Sequence, residues 1–145
     1  GFPGETDAEF NEGLAPIRAA AFSKIHVFPF SARKGTPAAD MDNQLPKSLK
    51  KQRGREIATL GEELQRAYYQ SLVGKKLEVL VEAEDRDKPQ HYVGTSCRYA
   101  PVEFPWMPEL SSPAQQTRNN PIGQLIEVTA TATADDRICA TIITS

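Results

Sequence analysis

Ser31, Arg33, Gly35 and Thr36 fall within six residues of one another, directly after the apolar run Lys24–Phe30. A hydroxyl, a guanidinium and a Gly-Thr turn this close together can clamp a carboxylate or a phosphate. In parallel α/β folds, ligands gather beyond the carboxyl ends of strands, and this stretch would lie at such an end. The competing reading pairs Arg33 with a structural carboxylate, and spacing alone does not separate the two. A second candidate is Gly1-Phe2-Pro3-Gly4-Glu5-Thr6. It reads either as a tight strand-to-helix turn or as a loop whose amides meet a nucleotide at a helix N-terminus. A third is the basic run Lys47, Lys50, Lys51, Arg53 and Arg55, which is either a solvated helix face or a set of phosphate contacts without base specificity.

Other residue types offer less. Cys97 and Cys139 are 42 positions apart and form no CxxC or CxxxCxxC cluster, so the chain is not expected to hold zinc or an iron–sulfur centre through cysteines. His26 and His91 share no metal-ligand spacing with each other or with acidic residues. No metal site is expected. Tyr99 and Trp106 can stack on bases, as aromatics on small β-barrels do, or pack into a core or loop.

These residues need elements to place them. Thr6 or Asp7 can cap a helix in which Phe10, Leu14, Ile17 and Ala21 recur at helical spacing, with a kink or early break expected at Pro16. Lys24–Phe30 is apolar on both faces, as a covered strand of a parallel sheet would be. Pro46 opens a long helix to about Leu72 with an apolar stripe of Ile57, Leu60, Leu64 and Tyr68, closed by Gly74. Leu77, Val79 and Val81 then alternate as one buried face of a strand. His91–Glu103 supplies one or two further strands around Gly94. Residues 105–122, with four prolines, read as an irregular loop. Gly123–Thr133 and Arg137–Thr144 read as strands turned at Asp135-Asp136. Four or five short strands in so short a stretch imply a small closed or nearly closed β-barrel.

Composition sets the frame. The chain has 145 residues, 39% apolar and 25% charged, with net charge −2. Residues 1–73 carry 10 Lys/Arg and 9 Asp/Glu, whereas 74–145 carry 7 and 10. Any RNA contact must therefore come from local patches, because the overall field does not favour phosphate. No apolar run is long enough to span a membrane, no secretory leader is visible, and two distant cysteines fit a reduced, cytoplasmic setting. An opening on Gly1, inside a loop, suggests a piece of a longer chain.

The stretches GFPGET, KIHVFPFSARKGTPAADM, LPKSLKKQRGREIATLGEEL and VGKKLEVLVE, in this order and spacing, resemble the radical-SAM tRNA methylthiotransferase family over most of the chain. The resemblance implies an α+β fragment. Residues 1–45 would be the last βα units of a radical-SAM α/β barrel, 46–73 a long connecting helix, and 74–145 a TRAM domain, a small OB-like antiparallel β-barrel that binds tRNA. It places Gly1, Pro3, Gly4, Glu5, Thr6, Phe28, Ser31 and Arg33 near S-adenosylmethionine, with Arg33, Gly35, Thr36 and Ala38 on the family's S-x-R-x-G-T-x-A signature. Arg33 resembles the tRNA branches rather than the ribosomal-protein branch, which usually has an acidic residue there, and HVFPFS resembles the threonylcarbamoyladenosine branch. Lys47, Lys50, Lys51, Arg53, Arg98 and Tyr99 become RNA-contact candidates. Cys97-Arg98-Tyr99 departs from the Asn-Tyr-like pair of the family, with Arg98 as the substitute polar contact.

The parent is then expected to insert a methylthio group at C2 of a modified adenosine beside the anticodon, using S-adenosylmethionine and two 4Fe-4S clusters. None of these cofactors would be held by this piece alone, which would be inactive. The rival expectations are a stand-alone TRAM-type RNA-binding module without catalysis, and a homodimer through the exposed edge of a truncated barrel.

Overall fold

The computed structural model describes residues 1–106, 120–134 and 136–143. The chain divides into two units, Gly1–Tyr68 and Tyr69–Ser145. No helix among the described residues is long and apolar enough to cross a membrane.

The first unit begins with helix α1, Asp7–Ala20. Thr6 caps it through a reciprocal box: its hydroxyl accepts from the Glu9 N–H at 3.2 Å, and Glu9 Oε2 accepts from the Thr6 N–H at 2.8 Å. The expected break at Pro16 does not occur, and α1 runs on to Ala20, ending where Ala21 turns left-handed at φ 49°. Only one turn follows Pro16, so the ring forfeits a single interior hydrogen bond. Lys24–Phe30 is not a strand: it carries no ladder. A parallel strand needs neighbours, and the only sheet among the described residues lies in the second unit. The sheet edge expected to support a homodimer, and the radical-SAM barrel units expected over 1–45, are therefore not formed by this segment on its own. Ile25 and Val27 are nevertheless half-buried, facing Gly61 and Gly54 of the long helix α2, Lys47–Leu72.

In the second unit, Gly74 has φ +81° and sends its N–H to the Ala130 carbonyl (2.8 Å), while the Ala130 N–H donates to Lys75. The glycine thus both ends α2 and starts the sheet. Five strands follow: β1 Lys76–Glu84, β2 His91–Ser96, β3 Pro101–Pro105, β4 Leu125–Ala134 and β5 Arg137–Ile142. They close as β1-β2-β3-β5-β4. The barrel is not wholly antiparallel, since β3 and β5 pair parallel. The β4–β5 hairpin brings β5 back beside β3 in the same sense as β3. Most of the expected proline-rich loop, residues 107–119, and the turn residue Asp135 lie outside the described residues.

Closing so few strands demands sharp bending. Register shifts at Val81/Ala83 and Ala130/Ala132 supply it. Side chains support both places, with Thr95 donating to Glu82 and Thr131 to the Cys139 carbonyl. The core is Leu77, Val79, Val81, Val102, Phe104, Ile126, Val128 and Ile138, all at or below 2% exposure. Trp106 is also buried and meets Tyr92 edge-to-face at 6.4 Å. That settles it as core rather than a stacking platform. Glu103, buried on the other face of β3, is met by Lys88 and by Arg137, which also binds Asp85 at 3.1 Å.

Gly94 sits opposite Val81 in the β1–β2 ladder. A Cβ there would collide with the Leu80 carbonyl and stand 2.9 Å from Val79 Cγ1. Gly94→Ala should therefore destabilise the barrel by about 3 kcal/mol or more, the upper end of overpacking costs, read as a lower urea midpoint. The Asp87 amide, then Arg137 and Lys88, hold the Asp85 carboxyl below the ordinary aspartate range. Its contribution is complete above that range and is lost as pH falls through the lowered value. Thermal midpoints should accordingly drop below about pH 4, and Asp85→Asn should flatten that acid limb.

Candidate functional site

Two surfaces collect the candidate residues, one on each unit. The GFPGET turn opens the first. Gly4, at φ +80°, donates to the Asn43 carbonyl at 3.0 Å, Glu5 to the Phe2 carbonyl at 3.1 Å, and Thr6 to Glu9. With these amides engaged inside the chain, the turn does not form a phosphate nest. The tight-turn reading holds for its backbone.

Arg53 explains how the turn is held. Its side chain is 4% exposed, and NH1 donates to the Glu5 carbonyl at 3.0 Å and to Glu5 Oε2 at 2.7 Å, while NH2 donates to Asp7 at 2.6 Å. The guanidinium also lies 5.1 Å from the Phe10 ring centre. Hydrogen bonding to Asp7, then to Glu5, raises its pKa further. The expectation that Arg53 contacts RNA is thereby corrected: a buried guanidinium with both ends occupied cannot reach a phosphate. Position in a basic run could not reveal this, because the partners lie 46 and 48 residues away.

The neighbouring cations behave differently. Lys50 is half-buried, its Nζ donating to the Phe30 carbonyl at 3.3 Å and sitting 4.9 Å from the Phe30 ring centre. Lys47, Lys51 and Arg55 are exposed and have no hydrogen-bond partner among the described residues. All four line an open groove of about 830 Å³ whose other wall comes from Val27, Pro29, Phe30 and Ser31. Of the expected ligand-end residues only Ser31 reaches this groove, where it meets three of the expected phosphate contacts, Lys47, Lys50 and Lys51. Arg55 belongs with them, one helical turn beyond Lys51, a spacing visible in the sequence. Phe28 is 86% exposed, and Ser31 and Arg33 are exposed without a side-chain partner among the described residues. Among the described residues Arg33 has no carboxylate partner. Phe2 packs on Phe30 at 5.3 Å.

The second surface is the turn between β2 and β3. Ser96 organises it. Its hydroxyl donates to the Ala100 carbonyl at 2.9 Å and accepts from the Ala100 N–H at 3.2 Å, while the Tyr99 N–H donates to the Ser96 carbonyl. Tyr99 is held at φ 57° and is 90% exposed. Arg98 beside it is exposed as well. A large ring fixed in water by a rigid turn suits stacking. Cys97 and Cys139 are free thiols, and no group of three potential metal ligands occurs among the described residues.

Comparisons with known proteins agree on one enzyme class. The chain is 39% identical over 105 residues to a tRNA-2-methylthio-N(6)-dimethylallyladenosine synthase of Desulfitobacterium hafniense strain Y51, covering 72% of this chain and 24% of that protein. It is 36% identical over 101 residues to a ribosomal protein uS12 methylthiotransferase of Anaeromyxobacter sp. strain K, covering 70% and 22%. It is 36% identical over 106 residues to a threonylcarbamoyladenosine tRNA methylthiotransferase of Bacillus subtilis strain 168, covering 72% and 24%. Similarity of this kind extends to 97% of the chain, at 31% identity. The chain thus spans about a quarter of the length of the relatives it matches. No family model matches it. Three kinds of methylthiotransferase at near-equal identity define a class rather than a branch.

Arg53→Met should speed amide exchange across Gly4–Glu9 by about tenfold or more, since the turn then loses the buried group that holds it. Hydrogen exchange measured on the variant and the wild type checks this, and Lys51→Met, at an exposed position, should leave the same amides unchanged.

Proposed function

The chain belongs, as a segment about a quarter of its relatives' length, to the methylthiotransferase family, and on that premise we propose that it is the C-terminal part of a tRNA-modifying member. The parent attaches a methylthio group to C2 of a modified adenosine beside the anticodon. This segment supplies grip on the tRNA and one wall of the S-adenosylmethionine site. The relatives named for tRNA products carry the reading, and the rim turn with its outward Tyr99 supports it. Arg33 sets the chain with the tRNA branches, and we assign the substrate to the threonylcarbamoyladenosine branch on the likeness of His26–Ser31 alone.

The residues present fit one side of such a cofactor site and no more. Phe28 offers a bare ring, Ser31 a hydroxyl and Arg33 an uncommitted guanidinium, suited to a heterocycle and a carboxylate. S-adenosylmethionine would supply the radical source and the methyl group when bound. The two iron–sulfur clusters do not fit here: Cys97 is exposed on the rim turn and Cys139 lies within β5. Their ligands must come from the rest of the parent, and this segment alone is inactive. Its own work is to bind and orient. Tyr99 takes the face of an unpaired base, and Arg98 stands beside it for the neighbouring phosphate.

In the full-length protein, Tyr99→Ala should raise the tRNA KM roughly 5- to 100-fold, as expected for one lost stacked base, with kcat little changed. Arg98→Ala should weaken tRNA binding and reduce its salt dependence. Methylthiolated nucleoside, released by digestion and quantified by mass spectrometry, is the readout. Unmodified tRNA with the wild-type protein, or modification of a protein substrate instead, would overturn the reading.

A further inference from the structure

Helix α2 breaks a rule that α1 obeys. The first turn of α1 carries Asp7 and Glu9 and its last turn Arg18, complementing the helix dipole. The first turn of α2 has no acidic residue and instead carries Lys47 and Lys50, followed by Lys51 and Arg55. Cations at the positive end of a dipole destabilise a helix. Such local conflicts are expected at functional sites, where a bound partner offsets them. Here they coincide with the groove lined by these four cations and by no carboxylate.

The groove has two kinds of surface. Lys47, Lys51 and Arg55, at i, i+4 and i+8, rise along one helix face in steps of about 6 Å and lack protein partners among the described residues. Opposite them, Val27, Pro29 and Phe30 form an apolar wall, with Leu45 and Ala58 completing it. Lys50 is fixed on Phe30, so it belongs to the wall rather than to the free cations. Inorganic phosphate would use only the cations, and an apolar molecule only the wall. A nucleotide uses both.

We propose that this groove holds a single-stranded stretch of RNA, one unpaired base against the Phe30–Pro29 wall and its backbone phosphates along Lys47, Lys51 and Arg55. The proposal rests on the tRNA reading above and adds a second contact surface to it, separate from Tyr99. A duplex cannot offer a base face to the wall, so the groove distinguishes unpaired from paired RNA.

The test uses the full-length protein and two labelled RNAs, a ten-nucleotide single strand and a hairpin stem, followed by fluorescence anisotropy over a salt series. The triple variant Lys47→Gln/Lys51→Gln/Arg55→Gln should bind the single strand at least tenfold more weakly, with a log–log salt slope smaller by roughly 2, as for three lost single-strand phosphate contacts. Gly54→Leu fills the groove while leaving its charges in place: a Cβ at Gly54 lies 3.8 Å from Val27 Cγ1. It should weaken single-strand binding and spare the hairpin. Arg66→Gln, further along α2, should change neither. Wild-type affinity and slope in the triple variant would overturn the proposal. So would protection of Lys47 and Lys51 from acetylation in the RNA-free protein, since the rest of the chain would then occupy the groove. Should Gly54→Leu fail to fold, the triple variant and the acetylation pattern still decide. A groove variant that binds both RNAs and modifies tRNA like wild type sinks this inference alone, whereas a wild-type protein that ignores tRNA sinks the functional reading beneath it.

Discussion

The buried guanidinium of Arg53 is the constraint on which the first unit turns. Few residues of Gly1–Tyr68 are fully buried, namely Phe10, Arg53, Leu60 and Gly61, so an apolar core cannot by itself fix the GFPGET turn. A charge removed from water must find compensating charge and hydrogen bonds. Arg53 finds Glu5, Asp7 and a carbonyl on one side and the Phe10 ring beneath. These partners lie on the turn and the first helix, and the guanidinium on α2. Its fork geometry thereby sets where the turn stands relative to the helix, with a directionality that apolar contact lacks.

With Arg53 turned inward, the rest of the basic run is sorted by helical phase. Lys50 lies against Phe30, while Lys47, Lys51 and Arg55 share the open side. One helix thus serves two purposes: its inner face anchors a loop and its outer face presents charge. The barrel unit achieves its rigidity differently, by closing a sheet in which each described strand has a neighbour on both sides. Gly94 and two register shifts let the strands curve that tightly.

Much of this was legible in the sequence because it depends on local period and punctuation. The alternation of Leu77, Val79 and Val81, the glycine at 74 and the long stripe from Ile57 to Tyr68 each follow from spacing, and the structure has all three. What escaped was non-local. Arg53 looks like its neighbours until Glu5 and Asp7 arrive from the start of the chain. Lys24–Phe30 has the composition of a covered strand, but strand character needs pairing partners, and none lies in this segment. The parallel β3–β5 pair depends on how the hairpin returns, which no local pattern encodes. Trp106 had two readings of similar standing, and packing against Tyr92 selected one.

Charge is where the two units bear on one question. A chain of net charge −2 whose second half is the more acidic does not draw RNA by its overall field. Screening resolves the difficulty: at physiological salt, charges more than about 8 Å apart act nearly independently. What a phosphate meets is therefore the nearest cations, not the sum over the molecule. Acidic side chains of the barrel that lie already paired, as Glu103 does with Lys88 and Arg137 and Asp85 does with Arg137, contribute little repulsion beyond their partners. The uncommitted cations of α2 retain their full attraction. Contacts built this way are weak in bulk and strong in place, confining attraction for phosphate to the faces where unpaired cations stand.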